Sequence, residues 1–302
     1  MHALPSFLLE MRDMRPPFIR PVLLIAALGA VLAACSRGEG GAGDSATPAP
    51  AAVAPAAPNV LEISATEFAF EAPDTIPSGA TTIRLRSSGQ ELHHVQLLRL
   101  AEGKTYDDLL KESKGGPPRW ALPVGGPNAP IPGSAVSETS LMLEPGNYAI
   151  TCEIPSSDGK PHIMKGMSRA LVVTPSTATA AALPEADFTV TLSDYAFAIP
   201  DSIGAGKHMM RVENAAEQPH EILIVKLNDG ASPADLVKWV EKMEGPPPAA
   251  PFGGTTAIAK GGVNVVALDL PPGDYGLLCF IPDANDGKMH VEHGMLRRLK
   301  VG

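Results

Sequence analysis

The chain has 302 residues, of which 44% are hydrophobic and 19% charged, so it can bury the cores of about two domains. It carries 24 Lys and Arg against 33 Asp and Glu, a formal net charge of -9 at pH 7. This balance argues against nucleic-acid binding, which needs a basic face, and suits solubility or the steering of a basic partner. Its three cysteines, Cys35, Cys152 and Cys279, are too few for a small disulfide-stapled fold.

Residues 1–34 have the layout of an export signal. Three arginines precede the apolar run Val22 to Ala34, which suits the hydrophobic part of a signal peptide and is too short to cross a membrane. The run ends in Leu32-Ala33-Ala34-Cys35, which resembles a bacterial lipobox. That resemblance implies lipidation of Cys35, which would become the mature N-terminus. An ordinary signal peptide with an incidental cysteine is the alternative, and Met11 and Met14 stay open as starts.

Ser36 follows the cysteine, and by resemblance to Gram-negative lipoproteins it favours the outer membrane over retention in the inner membrane. We therefore expect a protein of the cell envelope, lipid-anchored and facing the periplasm. Residues 35–59 are rich in Ala, Pro and Gly and hold almost no large apolar side chain. Such a segment cannot bury enough surface to fold, so it is predicted to be a flexible tether.

The remainder of the chain is an internal duplication. When the sequence is shifted so that His93 falls on His220, long ungapped stretches match, and Cys152 then falls on Cys279. One inserted residue follows, after which His162 matches His290. The predicted domains are residues 60–174 and 187–302, joined by a linker at 175–186 that is rich in Ala, Thr and Ser.

Within each repeat the hydrophobic pattern predicts mainly strands. The segments Leu61 to Phe70 and Phe188 to Phe197 alternate near period two, and Val263 to Leu270 is an apolar run followed by Pro and Gly. A helix start is indicated at Thr105 with Asp108, and again at Ser232 to Asp235 with Pro at the first helical position. We expect an all-β fold of two tandem sandwiches or barrels, each with one short helix.

Four residues with soft or nitrogen donors recur in both repeats: a histidine, a cysteine, a second histidine and a methionine. Two imidazoles, one thiolate and a weak thioether are the donor set of a trigonal blue-copper site. The predicted metal ligands are His93, Cys152, His162 and Met167 in the first repeat, and His220, Cys279, His290 and Met295 in the second.

These ligands lie in a longer motif that resembles the plastocyanin/azurin family of cupredoxins. The first copy reads Pro145-Gly146-Asn147-Tyr148, then Cys152-Glu153, His162 and Gly166-Met167. The second copy repeats it from Pro272-Gly273-Asp274-Tyr275. The resemblance implies two cupredoxin-like Greek-key β-sandwiches, one type 1 copper per domain, and electron exchange with a redox protein. It also implies that the early histidine begins a strand and that the other three ligands share a hairpin loop.

One feature departs from the family. The segments between cysteine and second histidine, Glu153 to Pro161 and Phe280 to Met289, are longer than in familiar cupredoxins. They contain Ser157-Asp158-Gly159 and Asn285-Asp286-Gly287, which are typical of turns. With such a turn, the chain either returns to the site and keeps the ligands close, or it displaces the second histidine so that the metal site cannot form.

Three alternatives remain open for individual residues. His94 could replace His93 as ligand, although it aligns with Glu221, and Met164 could replace Met167. A disulfide could join Cys152 to Cys279 if the two repeats met at that edge.

The favoured function is a lipid-anchored copper electron carrier that is not itself an enzyme. The alternative is a cupredoxin-fold module that sequesters copper or binds a partner without redox chemistry. A multicopper enzyme is disfavoured because the cysteines lack flanking histidines and the chain has no His-x-His pair for a second centre.

Overall fold

The computed structural model describes residues 57–113, 116–130, 136–178 and 181–302. Within these ranges, two short α-helices, α1 (Tyr106–Glu112) and α2 (Pro233–Lys242), accompany eighteen strands. The strands are β1 (Asn59–Thr66), β2 (Ala69–Glu71), β3 (Thr75–Pro77), β4 (Gly79–Ser87), β5 (Gln96–Leu100), β6 (Ala121–Gly125), β7 (Val136–Leu143), β8 (Gly146–Thr151), β9 (Ser168–Thr174), β10 (Phe188–Ser193), β11 (Ala196–Ala198), β12 (Ser202–Ile203), β13 (Gly206–Asn214), β14 (His220–Leu227), β15 (Ala249–Ile258), β16 (Val263–Leu270), β17 (Gly273–Leu278) and β18 (Leu296–Val301).

Each repeat is a two-layer sandwich with the same strand order. In the first repeat one layer is β7-β4-β1-β2 and the other is β6-β5-β8-β9-β3. In the second repeat β16-β13-β10-β11 faces β15-β14-β17-β18-β12. Inward side chains alternate with outward ones along the strands, so each sandwich encloses its own apolar core. The cysteine and methionine of each predicted site belong to that core.

The Pro-Gly-x-Tyr motif forms the corner that leads into the cysteine strand. Gly146 has φ 152° and Gly273 has φ 149°, a region that favours glycine. The hydroxyls of the buried Tyr148 and Tyr275 donate back to the carbonyls of Glu144 and Pro271. The motif therefore fixes the start of β8 and β17, the strands that lead into Cys152 and Cys279.

Both predicted helix starts are present. Thr105 and Asp108 form a capping box before α1, and Ser232 and Asp235 form one before α2, which has Pro233 at its first position. No helix among the described residues is long and apolar enough to span a membrane.

The two repeats share their sheets. Strand β16 pairs antiparallel with β7 over Asn264 to Ala267, and β15 meets β6 at Ile258 and Val124. Eight strands thus form one continuous sheet and ten form the other. The domain bounds 60–174 and 187–302 stay a prediction, because these pairings make one contact unit of the two repeats.

The predicted fold class agrees with the structure in its architecture: nearly all β, two tandem sandwiches, and one short helix in each. The export signal at 1–34, the lipidation site Cys35 and most of the 35–59 tether lie outside the described residues. They remain predictions.

Candidate metal centres

The backbone around each cysteine is clamped by its own ligand loop. Cys152 follows β8; its N–H donates to the carbonyl of Met167 at 3.2 Å, and its carbonyl accepts from Ile163 at 2.8 Å. The N–H of Met167 donates to the carbonyl of His162 at 3.0 Å. These backbone hydrogen bonds therefore hold the cysteine, the second histidine and the methionine close together without a metal ion. The second repeat repeats these bonds at Cys279, Val291, His290 and Met295.

A tight turn brings the second histidine back to the cysteine. In the first repeat Ser156 donates to Lys160 and His162 to Ile154, and Pro155 bridges to Pro161. In the second repeat Asp283 and Lys288 close the same excursion, and His290 donates to Ile281. The long segments thus leave and return, as one of the two outcomes predicted from the sequence, and the ligands stay close.

The first site joins three buried side chains. His162 Nδ1 lies 3.4 Å from Cys152 Sγ and 3.2 Å from His93 Nδ1. All three residues are fully buried. His162 begins a 3-10 helix, His162–Lys165, which ends at Gly166 with φ 99°, a conformation that explains the glycine before Met167.

The second site has the same arrangement. Cys279 Sγ lies 3.4 Å from His290 Nδ1 and 3.8 Å from His220 Nδ1, and all three residues are fully buried. His220 is the first residue of β14, as expected for the early histidine, whereas His93 precedes β5, which starts at Gln96. His290 begins the 3-10 helix His290–His293. Gly294, with φ 94°, ends that helix before Met295.

Both methionines are fully buried beside their cysteines. Met167 packs in the core cluster that holds Cys152, and Met295 in the one that holds Cys279. The alternative Met164 is 60% exposed and does not belong to that core cluster. Met167 and Met295 thus remain the predicted thioether donors, and Met164 does not share the site.

Burial sets the protonation of the donors without metal. It raises the pKa of the Cys152 thiol to about 12 and raises that of Cys279 as well. Burial, followed by repulsion from the facing imidazole, lowers the pKa of His93 and of His290 to about 4. At neutral pH these imidazoles are therefore neutral and have a lone pair available, whereas each thiol must lose its proton to bind a metal.

The donor atoms fit a single ion in each repeat. Imidazole nitrogen and thiolate sulfur bind first-row metal ions at roughly 2.0–2.3 Å, so three such donors around one ion lie roughly 3.5 Å apart. The observed separations of 3.2 and 3.4 Å in the first site and 3.4 and 3.8 Å in the second have this size. Two histidines, one cysteine and a buried methionine nearby fit type 1 copper, one per domain.

Each site also has one carboxylate on the far nitrogen of one histidine. Glu91 Oε2 lies 2.9 Å from His162 Nε2, and Asp194 Oδ1 lies 3.2 Å from His220 Nε2. The Nε2 atoms of His93 and His290 are buried with no hydrogen-bond partner among the described residues. These two carboxylates could not be found from the sequence, since Glu91 aligns with Gln218, and Glu67, which aligns with Asp194, bonds backbone amides instead of a histidine.

Polar side chains next to the ligands anchor the backbone that follows each cysteine. His94 Nε2 accepts from the Glu153 N–H at 2.9 Å, and Glu221 accepts from the Phe280 N–H at 2.9 Å. Asn128 of the first repeat donates to Glu221 of the second at 3.2 Å. His94 and Glu221, which align with each other, therefore have the same role. Each accepts a hydrogen bond from the amide N–H of the residue that follows a cysteine.

This interface also changes the protonation of its acids. Burial raises the pKa of Glu153 and of Glu221 to about 7, and the neighbouring Glu221 adds to the rise for Glu153. Burial lowers the pKa of His94 to about 3.

Two sequence alternatives do not match the structure. His94 is committed to the Glu153 amide, and it is His93 that faces Cys152 and His162. Cys152 and Cys279 are both free, each within its own histidine pair, so the alternative disulfide between them is absent. The assignment of the eight ligand residues to a metal itself stays a prediction.

A third group of donor side chains, Asp283, Asp286 and His293, lies at the second ligand loop. Asp283 accepts from Tyr195, Gln218 and the amides of the following turn, which lowers its pKa. Its oxygens are therefore already occupied, and it serves to close the turn before His290.

No family model matches the chain, and no curated protein matches it. Solved structures similar to it include a dithionite-reduced auracyanin from Roseiflexus castenholzii, with 23% identity and a TM-score of 0.29, covering 38% of this chain and 95% of that one. Auracyanin A, a "blue" copper protein from Chloroflexus aurantiacus, has 17% identity and a TM-score of 0.26, with coverages of 38% and 99%. The blue copper oxidase from Nitrosomonas europaea has 15% identity and a TM-score of 0.26, with coverages of 81% and 86%. Because the TM-scores of these structures are below 0.3, we infer nothing about the function of this chain from them.

Proposed function

We propose that this chain is a copper-binding electron-transfer protein with one type 1 site in each repeat. The observation that carries the proposal is the presence of two buried His-Cys-His sets in one chain, each with a buried methionine in the same core. Copper held there supplies one-electron chemistry between Cu(I) and Cu(II). The predicted ligands are His93, Cys152, His162 and Met167, and His220, Cys279, His290 and Met295.

The residues of each site suit that role through rigidity and dryness. The backbone bonds that join Cys152, His162 and Met167 hold the donors in place whichever charge the site carries. Full burial of the donors excludes water, so no exchangeable water ligand has to be rearranged on electron transfer. A donor set fixed by the protein in this way keeps one geometry for both oxidation states.

We further propose that the protein is not an enzyme and that it acts on a redox protein at the cell envelope. A second catalytic centre would need several free ligands beside a copper site. At the interface between the repeats His94, Glu221 and Asn128 are each committed to a hydrogen bond. The lipobox-like end of the signal supports a lipid anchor at Cys35, with the outer membrane facing the periplasm as its expected location.

One observation favours the alternative of a copper-sequestering or partner-binding module. The side chains of His162 and His290 are fully buried beneath their long loops, so neither imidazole edge reaches the surface. An electron would then have to leave through the covering residues.

The test is copper content and colour in a soluble form that begins at Ser36. We predict two copper ions per chain and an intense blue thiolate band after loading with Cu(II). Cys152→Ser and Cys279→Ser should each remove about half of the colour, because each removes one of two thiolates. Bound copper without the blue band would support a sequestering module. No bound copper would contradict the electron-transfer function and leave a partner-binding module.

A further inference from the structure

Each metal centre has one carboxylate that fixes one of its imidazoles. Glu91 Oε2 accepts from His162 Nε2 at 2.9 Å, and Asp194 Oδ1 accepts from His220 Nε2 at 3.2 Å. A carboxylate oxygen accepts these bonds, so the proton of each bond lies on the Nε2 of the imidazole. The Nδ1 atom of the same ring then carries the lone pair and faces the cysteine sulfur.

The two carboxylates are not copies of each other. Glu91 aligns with Gln218, whose side chain bonds Asp283 and the amide of Ala284 and makes no hydrogen bond to a histidine. Asp194 aligns with Glu67, whose carboxylate accepts from the amides of Gln90 and Glu91. The duplication has therefore kept one imidazole-bound acid per site, but on opposite histidines.

Glu67 lies near His93 without a hydrogen bond to it. A Cβ at Gly89 would lie 2.6 Å from Glu67 Oε1 and 2.8 Å from His93 Nε2, so the absence of a side chain at this position leaves room for both groups. The second repeat has Ala216 at the equivalent position and the shorter Asp194. There the carboxylate stays on His220.

The remaining histidine of each pair has no such partner. His93 Nε2 and His290 Nε2 are buried without a hydrogen-bond partner among the described residues. The nearest carboxylate oxygen to His290 belongs to Asp283, at 3.8 Å, which is too long for a hydrogen bond. The carboxylate thus acts on the later histidine in the first site and on the earlier one in the second.

We propose that Glu91 and Asp194 are positioning residues that hold His162 and His220 in the metal-binding tautomer and lower the reduction potential of their own site. A carboxylate bonded to the far N–H makes an imidazole a stronger donor, which favours the higher oxidation state of the bound metal. This inference rests on the proposed function, because it assigns roles within the same two sites.

The test measures the potential of one site at a time in the copper-loaded full chain. Glu91→Gln is made beside Cys279→Ser, and Asp194→Asn beside Cys152→Ser, so that the remaining blue band reports a single site. Each substitution removes the charge and keeps the size of the side chain. We expect the Cu(I) to Cu(II) ratio at a fixed ambient potential to rise roughly tenfold, a shift of about 59 mV for one electron.

Matched controls are Asp158→Asn in the first ligand loop and Asp286→Asn in the second. Asp158 bonds Lys160 and Lys165, and Asp286 bonds Lys288 and His293, so neither touches a predicted ligand. We expect these variants to shift the potential much less. Equal shifts in controls and test variants would overturn the inference, as would unchanged potentials in Glu91→Gln and Asp194→Asn.

A second measurement needs no copper and separates this inference from the proposed function. Nitrogen-15 NMR of the metal-free chain should show His162 and His220 with the proton on Nε2, and Glu91→Ala should give His162 a mixture of tautomers. A mixture already present in the unaltered chain would overturn the inference. Failure of the proposed function would show instead as the absence of a blue band in the unaltered loaded chain.

Discussion

Among single residues, Glu221 is a buried carboxylate at the join of the two repeats. It is 7% exposed, it accepts from the Phe280 amide and from Asn128, and burial raises its pKa to about 7. In an unfolded chain a glutamate ionises near pH 4.3, so the folded state retains this proton over a range where the unfolded state has lost it. Its contribution to stability is therefore present below about pH 4 and is lost as the pH rises through 7.

Glu221→Gln should abolish this part of the pH dependence. Gln keeps an acceptor for the Phe280 amide but cannot ionise, and it loses the bond from Asn128 at every pH. Relative to the unaltered metal-free chain, the variant should gain roughly 2 kcal/mol between pH 5 and pH 8. Urea unfolding at both pH values measures it. The exposed Glu244→Gln serves as control, and a constant difference between variant and parent at the two pH values would contradict the account.

A site residue could be predicted from the sequence when the same residue type occupies the matching position of both repeats. The histidines, cysteines and methionines occur at matching positions in both repeats, and their donor chemistry is specific, so all eight could be named. Glu91 and Asp194 could not, because each aligns with a residue of another role, Gln218 or Glu67. An acid within two residues of a histidine is too common a pattern to indicate a contact across a fold.

At the level of elements, the ligand loops and the strand bends were predictable to different degrees. Turn residues such as Asp158-Gly159 indicated a return of the chain, and the bridge from Pro155 to Pro161 provides it. The irregular pairing of β14 with β15 could not be predicted. A glycine within a strand pattern, such as Gly254, does not indicate which neighbouring backbone segment packs against it. Gly254 in β15 has φ 115°, and a Cβ there would lie 1.9 Å from the carbonyl oxygen of Ile222.

Gly254→Ala should therefore destabilise the chain by at least about 2 kcal/mol, since it adds a steric clash with β14 to an unfavourable φ. The measurement is the midpoint of chemical unfolding of the metal-free protein. Gly230→Ala is the matched control, because Gly230 has φ 77° but nothing within 4 Å of an added Cβ. It should cost only about 1 kcal/mol. If the two variants lost the same stability, the close approach of the Ile222 carbonyl would not be the reason for a glycine at position 254.

At the scale of the whole molecule, the shared sheets make one structure of the two repeats. Strand β16 continues the layer of the first repeat through β7, and Thr255 and Asn264 bond across the join to Gly126 and Val124. The sequence showed the duplication but not this join, because β7 and β16 have ordinary strand patterns that fit an edge or a central position equally well. We therefore expect the repeats to unfold together.

The two tryptophans of the chain report on this coupling, since Trp120 lies in the first repeat and Trp239 in the second. Chains with one tryptophan replaced by phenylalanine should give coincident unfolding curves. Leu97→Ala, in the core of the first repeat, should lower the midpoints of both reporters, because truncation of a buried leucine costs about 2–5 kcal/mol. A second transition that Leu97→Ala leaves unmoved at Trp239 would show that the repeats are independent.

The central claim is that one chain carries two redox-active copper ions in the predicted sites. Its most direct test is a reductive titration of the copper-loaded protein under anaerobic conditions, followed through the blue thiolate band. We expect two electrons per chain to bleach the blue band and a stoichiometric amount of oxidant to restore it fully over repeated cycles. Uptake of fewer than two electrons, or loss of the colour after one cycle, would contradict the claim that both repeats hold electron-transfer sites.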